Sequence, residues 1–198
     1  MISPFHHLPD RALLRTQEEQ VPLSSSQLAA RRFRDISWEL AETTHGLDVS
    51  ITAQETPLKE LVLRWDLDFP QGCRFLGGPW ERGYGSQEWR GFAPDRVMAW
   101  YFAADNGQEV LCFGVKAQPH ALCWWSADPH GFSLHLDLRC GGEGVKLRGR
   151  RGKAAGAHPA RGQRGVPPQR GHGLPGAAAV LQGALPRAGP AGPPRVRL

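Results

Sequence analysis

The chain is 198 residues long and 40% hydrophobic, with 24 Lys and Arg against 19 Asp and Glu; after Gly144 come eleven basic residues and no acidic ones, so a −6 segment is joined to a +11 tail. No apolar run approaches the roughly 20 residues of a membrane-spanning helix, and the opening Met1-Ile2-Ser3-Pro4-Phe5-His6-His7 lacks a basic stretch followed by an apolar one. Those features predict neither a membrane-spanning helix nor a secretory leader, and the expectation is a cytoplasmic protein with one core-forming domain.

Residues 1–35 read as a poorly defined extension, in which Ser26 caps a short helix running through Arg34 with Leu28 and Phe33 as its apolar side. From Ile36 the hydrophobic period becomes two. Ile36, Trp38 and Leu40 alternate with Ser37 and Glu39; after a turn at His45-Gly46, Leu47, Val49, Ile51 and Ala53 alternate with Asp48, Ser50 and Thr52. Leu61, Leu63, Trp65, Leu67 and Phe69 form the apolar face of a further strand, against Val62, Arg64, Asp66 and Asp68. Val97–Ala103, Val110–Val115 and Ala121–Trp125 are apolar on both faces and predict strands covered on both sides. Phe132, Leu134, Leu136, Leu138 and Cys140 repeat the alternation against Ser133, His135, Asp137 and Arg139. Asp105-Asn106-Gly107 and Asp128-Pro129-His130-Gly131 supply hairpin turns. Roughly seven short antiparallel strands with little helix predict an all-β sandwich over residues 36–147.

Beyond Gly144 there is no Phe, Trp, Tyr, Asp, Glu or Cys, and Arg, Gly, Ala and Pro dominate. Such a segment cannot bury a core, so residues 148–198 are expected to be a disordered low-complexity tail. These four residues are encoded by codons made only of G and C, and the abrupt change is what a GC-rich gene read out of frame produces. Cys73, Cys112, Cys123 and Cys140 form no CxxC pair and read as reduced thiols; neither a metal site nor a cofactor is expected.

The densest chemistry lies in Trp80-Glu81-Arg82-Gly83-Tyr84-Gly85-Ser86-Gln87-Glu88-Trp89-Arg90-Gly91, which holds three large aromatics, two carboxylates and two guanidinium groups. Rings that cover the apolar faces of a pyranose, beside charged groups that bind its hydroxyls, suit a sugar. The structural alternative packs Trp80 and Trp89 on the sandwich edge and pairs Glu81, Arg82, Glu88 and Arg90 with one another. Trp100-Tyr101-Phe102 and Trp124-Trp125 are a second aromatic concentration, read mainly as core. Asp66 and Asp68 read as a solvated strand edge. No HExxH spacing, nucleophile elbow, phosphate-binding Gly loop or Ser/His/Asp set with recognisable context is present.

The block Trp80-Glu81-Arg82-x-Tyr84-Gly85-x-x-Glu88-Trp89-Arg90-Gly91 is followed by Ala99-Trp100-Tyr101-Phe102 and Phe113-Gly114-Val115-Lys116. Cys123-Trp124-Trp125-x-x-Asp128-Pro129-x-Gly131-x-x-Leu134-x-Leu136-Asp137-Leu138-Arg139 completes the series. In this order the blocks resemble the N-terminal domain of bacterial α-galactosidase-like proteins of glycoside hydrolase family 36, over roughly residues 36–147. The resemblance implies a β-supersandwich leading into a (β/α)8 barrel that carries two catalytic Asp residues. No barrel segment is present in this sequence, so no catalytic residue is carried over. The domain's implied work is to pack on the barrel, to assist oligomerisation and to lend loop residues to the sugar pocket's rim, with Trp80, Glu81, Arg82, Trp89 and Arg90 as rim or interdomain residues.

The leading expectation is therefore a truncated family member, frameshifted after about residue 147 and inactive by itself, with a galactoside and the missing barrel as partners. The alternative is a free-standing carbohydrate-binding sandwich. A third reading, nucleic-acid binding by the basic tail, is disfavoured because its Arg-Gly pairs lack interleaved aromatics. A sheet face made for a barrel would be left open, favouring self-association.

Overall fold

Period-two patterning places one face of each strand against a partner sheet, and the chain forms two antiparallel sheets, as predicted. The computed structural model describes residues 8–43, 46–78, 87–115, 121–139, 141–154 and 157–162, the last two segments beyond Leu147 as backbone only. The nine-stranded sheet comprises β1 (Arg11–Thr16), β2 (Gln20–Leu23), β3 (Arg32–Phe33), β4 (Ile36–Thr43), β5 (Gly46–Asp66), β7 (Met98–Ala99), β10 (Leu122–Asp128), β11 (Gly131–Asp137) and β12 (Val145–Ala154). The four-stranded sheet comprises β6 (Arg74–Leu76), β8 (Tyr101–Asp105), β9 (Val110–Val115) and β13 (Ala157–Gly162) in the order β13-β9-β8-β6. Among the described residues no helix is long and apolar enough to cross a membrane.

The spine is β5, a single strand of 21 residues where the sequence predicts two. Its first half pairs with β4, setting Ile36 opposite Ala53 and Trp38 opposite Ile51. Its second half lies between β1 and β11, with Leu61 facing both Leu14 and Leu136. The junction, Gln54–Pro57, has no apolar alternation and reads as a break, yet the backbone stays extended because Asp35 braces it. One Asp35 oxygen accepts the N–H groups of Glu55 and Thr56 at 2.8 and 3.0 Å, and the other accepts the Thr56 hydroxyl.

The amino-terminal segment differs from its sequence reading. β1 and β2 are sheet, joined by a turn at 17–19, with β1 paired on both sides and Ala12, Leu14 and Leu23 buried. The helix, α1, spans Ser25–Ala30 and is capped by Ser24, not Ser26. Gln27 decides this: its side-chain oxygen accepts the Ser24 N–H at 2.9 Å, as the third residue of a capping box does. Arg31 then turns into the left-handed region and stops the helix, so Phe33 belongs to β3.

The core between the sheets is aromatic. Trp65 stacks on Phe132 at 5.3 Å, Phe102 on Phe113 at 4.5 Å, and Phe113 approaches Phe132 at 4.9 Å. Trp125 and Phe102, from the two concentrations read as core, are fully buried; Trp100 and Tyr101 are exposed. The reason is a strand crossing. β7 belongs to the large sheet through Trp124↔Ala99 and Trp125↔Met98, and β8 to the small sheet through Phe102↔Phe113. Trp100 makes the corner at φ +62°, an uncommon conformation for a bulky residue, with its carbonyl accepting the Val115 N–H at 2.8 Å. The predicted strand Val97–Ala103 is therefore two strands, and the strands expected to be covered on both sides leave Tyr101 and Leu122 open to solvent.

Strand pairing continues past the composition break: β12 pairs with β5 and β13 with β9. Ladder hydrogen bonds come from the backbone, so they need none of the aromatic or acidic residues missing beyond Gly144. The remainder of the predicted tail, residues 163–198, lies outside the described residues.

Candidate functional site

Of the five residues singled out by sequence, Trp80, Glu81 and Arg82 lie outside the described residues. Trp89 and Arg90 are held against β6, where Arg90 and Phe75 exchange backbone hydrogen bonds at 2.7 and 3.0 Å. The Arg96 guanidinium clamps the same segment by donating to the carbonyls of Phe75, Gly77 and Glu88 at 2.8–3.0 Å. Burial lowers the Arg96 pKa, and these carbonyls satisfy its donors. The Arg90 side chain pairs with Glu88, as the structural alternative anticipated for that pair.

Trp89 is 37% exposed, with the Arg74 guanidinium 5.9 Å from its ring centroid. Arg74 pairs with Asp105 across β6 and β8 at 2.9 Å. Phe102, Phe75 and Phe113 point into the core, so alternation sends Arg74 and Tyr101 outward. The Gln87 amide reaches the Tyr101 hydroxyl at 3.2 Å, and Tyr101 is 42% exposed. The small sheet thus presents two aromatic side chains, Trp89 and Tyr101, with Arg74, Asp105 and Gln87 beside them. Of these, sequence reasoning singled out Trp89 alone as a site residue. Arg74 and Asp105 meet only through long-range strand pairing.

A second polar cluster, missed by sequence reasoning, lies on the outer face of the large sheet. The Ser126 hydroxyl is 3.0 Å from His135 Nε2, and His135 Nδ1 is 2.9 Å from Glu60 Oε1. The second Glu60 oxygen accepts from Arg15 at 2.6 Å, and the Trp124 ring stacks on His135 at 4.6 Å with 9° between planes. The half of this set on β10 and β11 was accessible to sequence reasoning, because the hairpin turn at Asp128–Gly131 fixes the register that brings Ser126 diagonal to His135. Glu60 and Arg15 come from β5 and β1, whose positions depend on the whole sheet.

Other ionisable groups serve the scaffold. Arg64 forks onto Asp128 at 2.6 and 2.8 Å; hydrogen bonding to the partner raises the arginine's pKa and lowers the carboxylate's. Asp66 pairs with Arg11 and Arg64, and Asp68 is exposed beside His130, in keeping with a solvated edge. Burial pushes the Cys73 thiol up to about 11 and Cys123 up to about 12, so both stay protonated at neutral pH; Cys140 lies outside the described residues. Comparisons with protein-family models, with curated proteins and with solved structures returned no match.

Proposed function

We propose that this chain is a β-sandwich of an α-galactosidase-like glycoside hydrolase, non-catalytic toward glycosides and located in the cytoplasm, that handles galactosides through the outer face of its small sheet. The observation that carries this reading is the pairing of exposed Trp89 and Tyr101 with Arg74, Asp105 and Gln87. The aromatic surfaces suit the C–H faces of a pyranose, and the charged pair suits its hydroxyls. The resemblance adds Trp80, Glu81 and Arg82 to the rim residues, and they lie outside the described residues. A bond-cleaving role would need two carboxylates about 5–9 Å apart across a sugar subsite, one acid and one nucleophile or base. Among the described residues, the carboxylates beside this face, Asp105 and Glu88, are each paired with an arginine, Arg74 and Arg90.

The exposed side chains Val97, Trp100 and Leu122 around the β7 to β8 crossing support a packing partner, the barrel in this reading. A free-standing sugar-binding module is the second reading, favoured by the same Trp89 and Tyr101 face. Titration calorimetry of the full chain with methyl α-galactoside and raffinose is expected to give binding that Trp89→Ala weakens at least tenfold, with no hydrolysis of an aryl α-galactoside. Absence of heat with every galactoside tested, or hydrolysis above a heat-killed control, would overturn the reading.

A further inference from the structure

We propose that Ser126, His135 and Glu60 form a nucleophilic acyl-transfer site that takes small carboxylic esters. The three residues come from adjacent strands of the large sheet. Register pairs Trp124 with His135 and Ser126 with Ser133 across β10 and β11, and His135 with Val62 and Asp137 with Glu60 across β11 and β5. Ser126 and Glu60 are thus diagonal neighbours of His135 on opposite sides of it, on the face away from buried Trp125 and Leu134.

The geometry meets the requirements of an activated serine. Nucleophile and base are 3.0 Å apart, base and orienting carboxylate 2.9 Å. Glu60, salt-bridged to Arg15, accepts at His135 Nδ1, so the ring proton sits there and Nε2 is left bare to accept from the Ser126 hydroxyl. Both Glu60 oxygens are engaged and Trp124 holds the ring plane, so the relay is fixed before any substrate arrives. The Glu60 side chain is 6% exposed and that of His135 17%, while Ser126 remains partly open.

Ser126 is partly open on this face of the sheet, so a small ester can bring its carbonyl to the hydroxyl. In the first half-reaction the Ser126 oxygen bonds to the carbonyl carbon as its proton passes to His135 Nε2. The tetrahedral oxyanion then collapses, the carbon–alkoxy bond breaks, and His135 returns the proton to the departing alcohol. Water repeats the sequence on the acyl-serine, with His135 as base and then acid, releasing the carboxylic acid and restoring Ser126. Glu60 stabilises the imidazolium formed in each half.

The test uses the full chain with a fluorophosphonate probe and p-nitrophenyl butyrate. Tandem mass spectrometry is expected to place the probe's phosphonyl group on Ser126. Ser126→Ala is expected to abolish both labelling and turnover with an unchanged thermal midpoint, and Glu60→Gln to slow turnover by roughly 100-fold or more. No adduct on Ser126 under conditions that fully label a serine-protease control would overturn the proposal, as would ester turnover unaffected by Ser126→Ala. This site is separate from the small-sheet face, so either result leaves the galactoside titration to be decided by itself.

Discussion

Gly131 carries the tightest steric constraint of any single residue near the Ser126 and His135 hairpin. It opens β11 opposite Asp66 with φ +146°, and a Cβ placed there would lie 2.1 Å from the Trp65 carbonyl oxygen and 3.0 Å from Arg64 Nη2. Backbone oxygen cannot move aside as a flexible side chain can, and the same position anchors the Arg64–Asp128 fork. Gly131→Ala is therefore expected to cost about 2–4 kcal/mol, read as a lowered urea midpoint with unchanged slope. The turn at Asp128–Gly131 was legible from Pro-His-Gly chemistry. The close approach of Trp65 was not, since it belongs to a strand 65 or so positions earlier in the chain.

At the scale of the element, β5 is continuous because Asp35 supplies what its own sequence does not. Hydrogen bonds from the Thr56 hydroxyl and from the Glu55 and Thr56 N–H groups hold the Asp35 carboxyl well below the usual carboxylate range. A depressed folded pKa stabilises the native state above the unfolded value of about 4, and that stabilisation is lost as pH falls toward the folded value. Asp35→Asn is expected to lower stability at pH 7 by on the order of 1 kcal/mol, the scale of a capping carboxylate. The gap between wild type and variant should narrow as denaturation is repeated below pH 4. A gap of constant size across that range would mean that the carboxylate's charge plays no part in the brace.

The elements themselves were legible unevenly, for reasons that differ. β4 and β11 follow from alternation and β9 from apolar content, with Ile36 and Trp38 buried on β4, Phe113 on β9, and all of β11 but His135. β1 is short, and its alternation is blurred by Leu13 on the outer face and Thr16 on the buried one, while Arg11 and Arg15 are matched by Asp66 and Glu60 from β5; a single strand's sequence cannot reveal such partners. The corner at Trp100 was hidden because a bulky residue at positive φ has no local signature. It is imposed by two sheets pulling consecutive strands in different directions.

At the scale of the molecule, the large sheet leaves β7 as a two-residue edge strand, and Val97, Trp100, Tyr101 and Leu122 around it are exposed. An apolar edge of this kind is a surface for pairing. The full chain is expected to show concentration-dependent oligomers in light scattering, and Val97→Lys with Leu122→Lys to shift it toward monomer. A monodisperse wild-type monomer at high concentration would mean that the edge needs no cover. The composition break bears on the same question: translation of the coding DNA around codon 144 in all frames is expected to restore acidic and aromatic residues in another frame, and failure to find one would make the basic tail a selected feature.

The sequence by itself determined the all-β class, the antiparallel hairpins, the aromatic core strands and the change of character at Gly144, because alternation, turn chemistry and composition act within a few residues of one another. Only the tertiary structure decided that β5 runs unbroken, that Trp100 turns the corner between sheets, that Arg74 meets Asp105 beside Trp89, and that Ser126, His135 and Glu60 stand in line. Each of these joins positions that are distant in the chain or opposed on crossing sheets. Register and sheet packing, rather than local propensity, set which side chains meet.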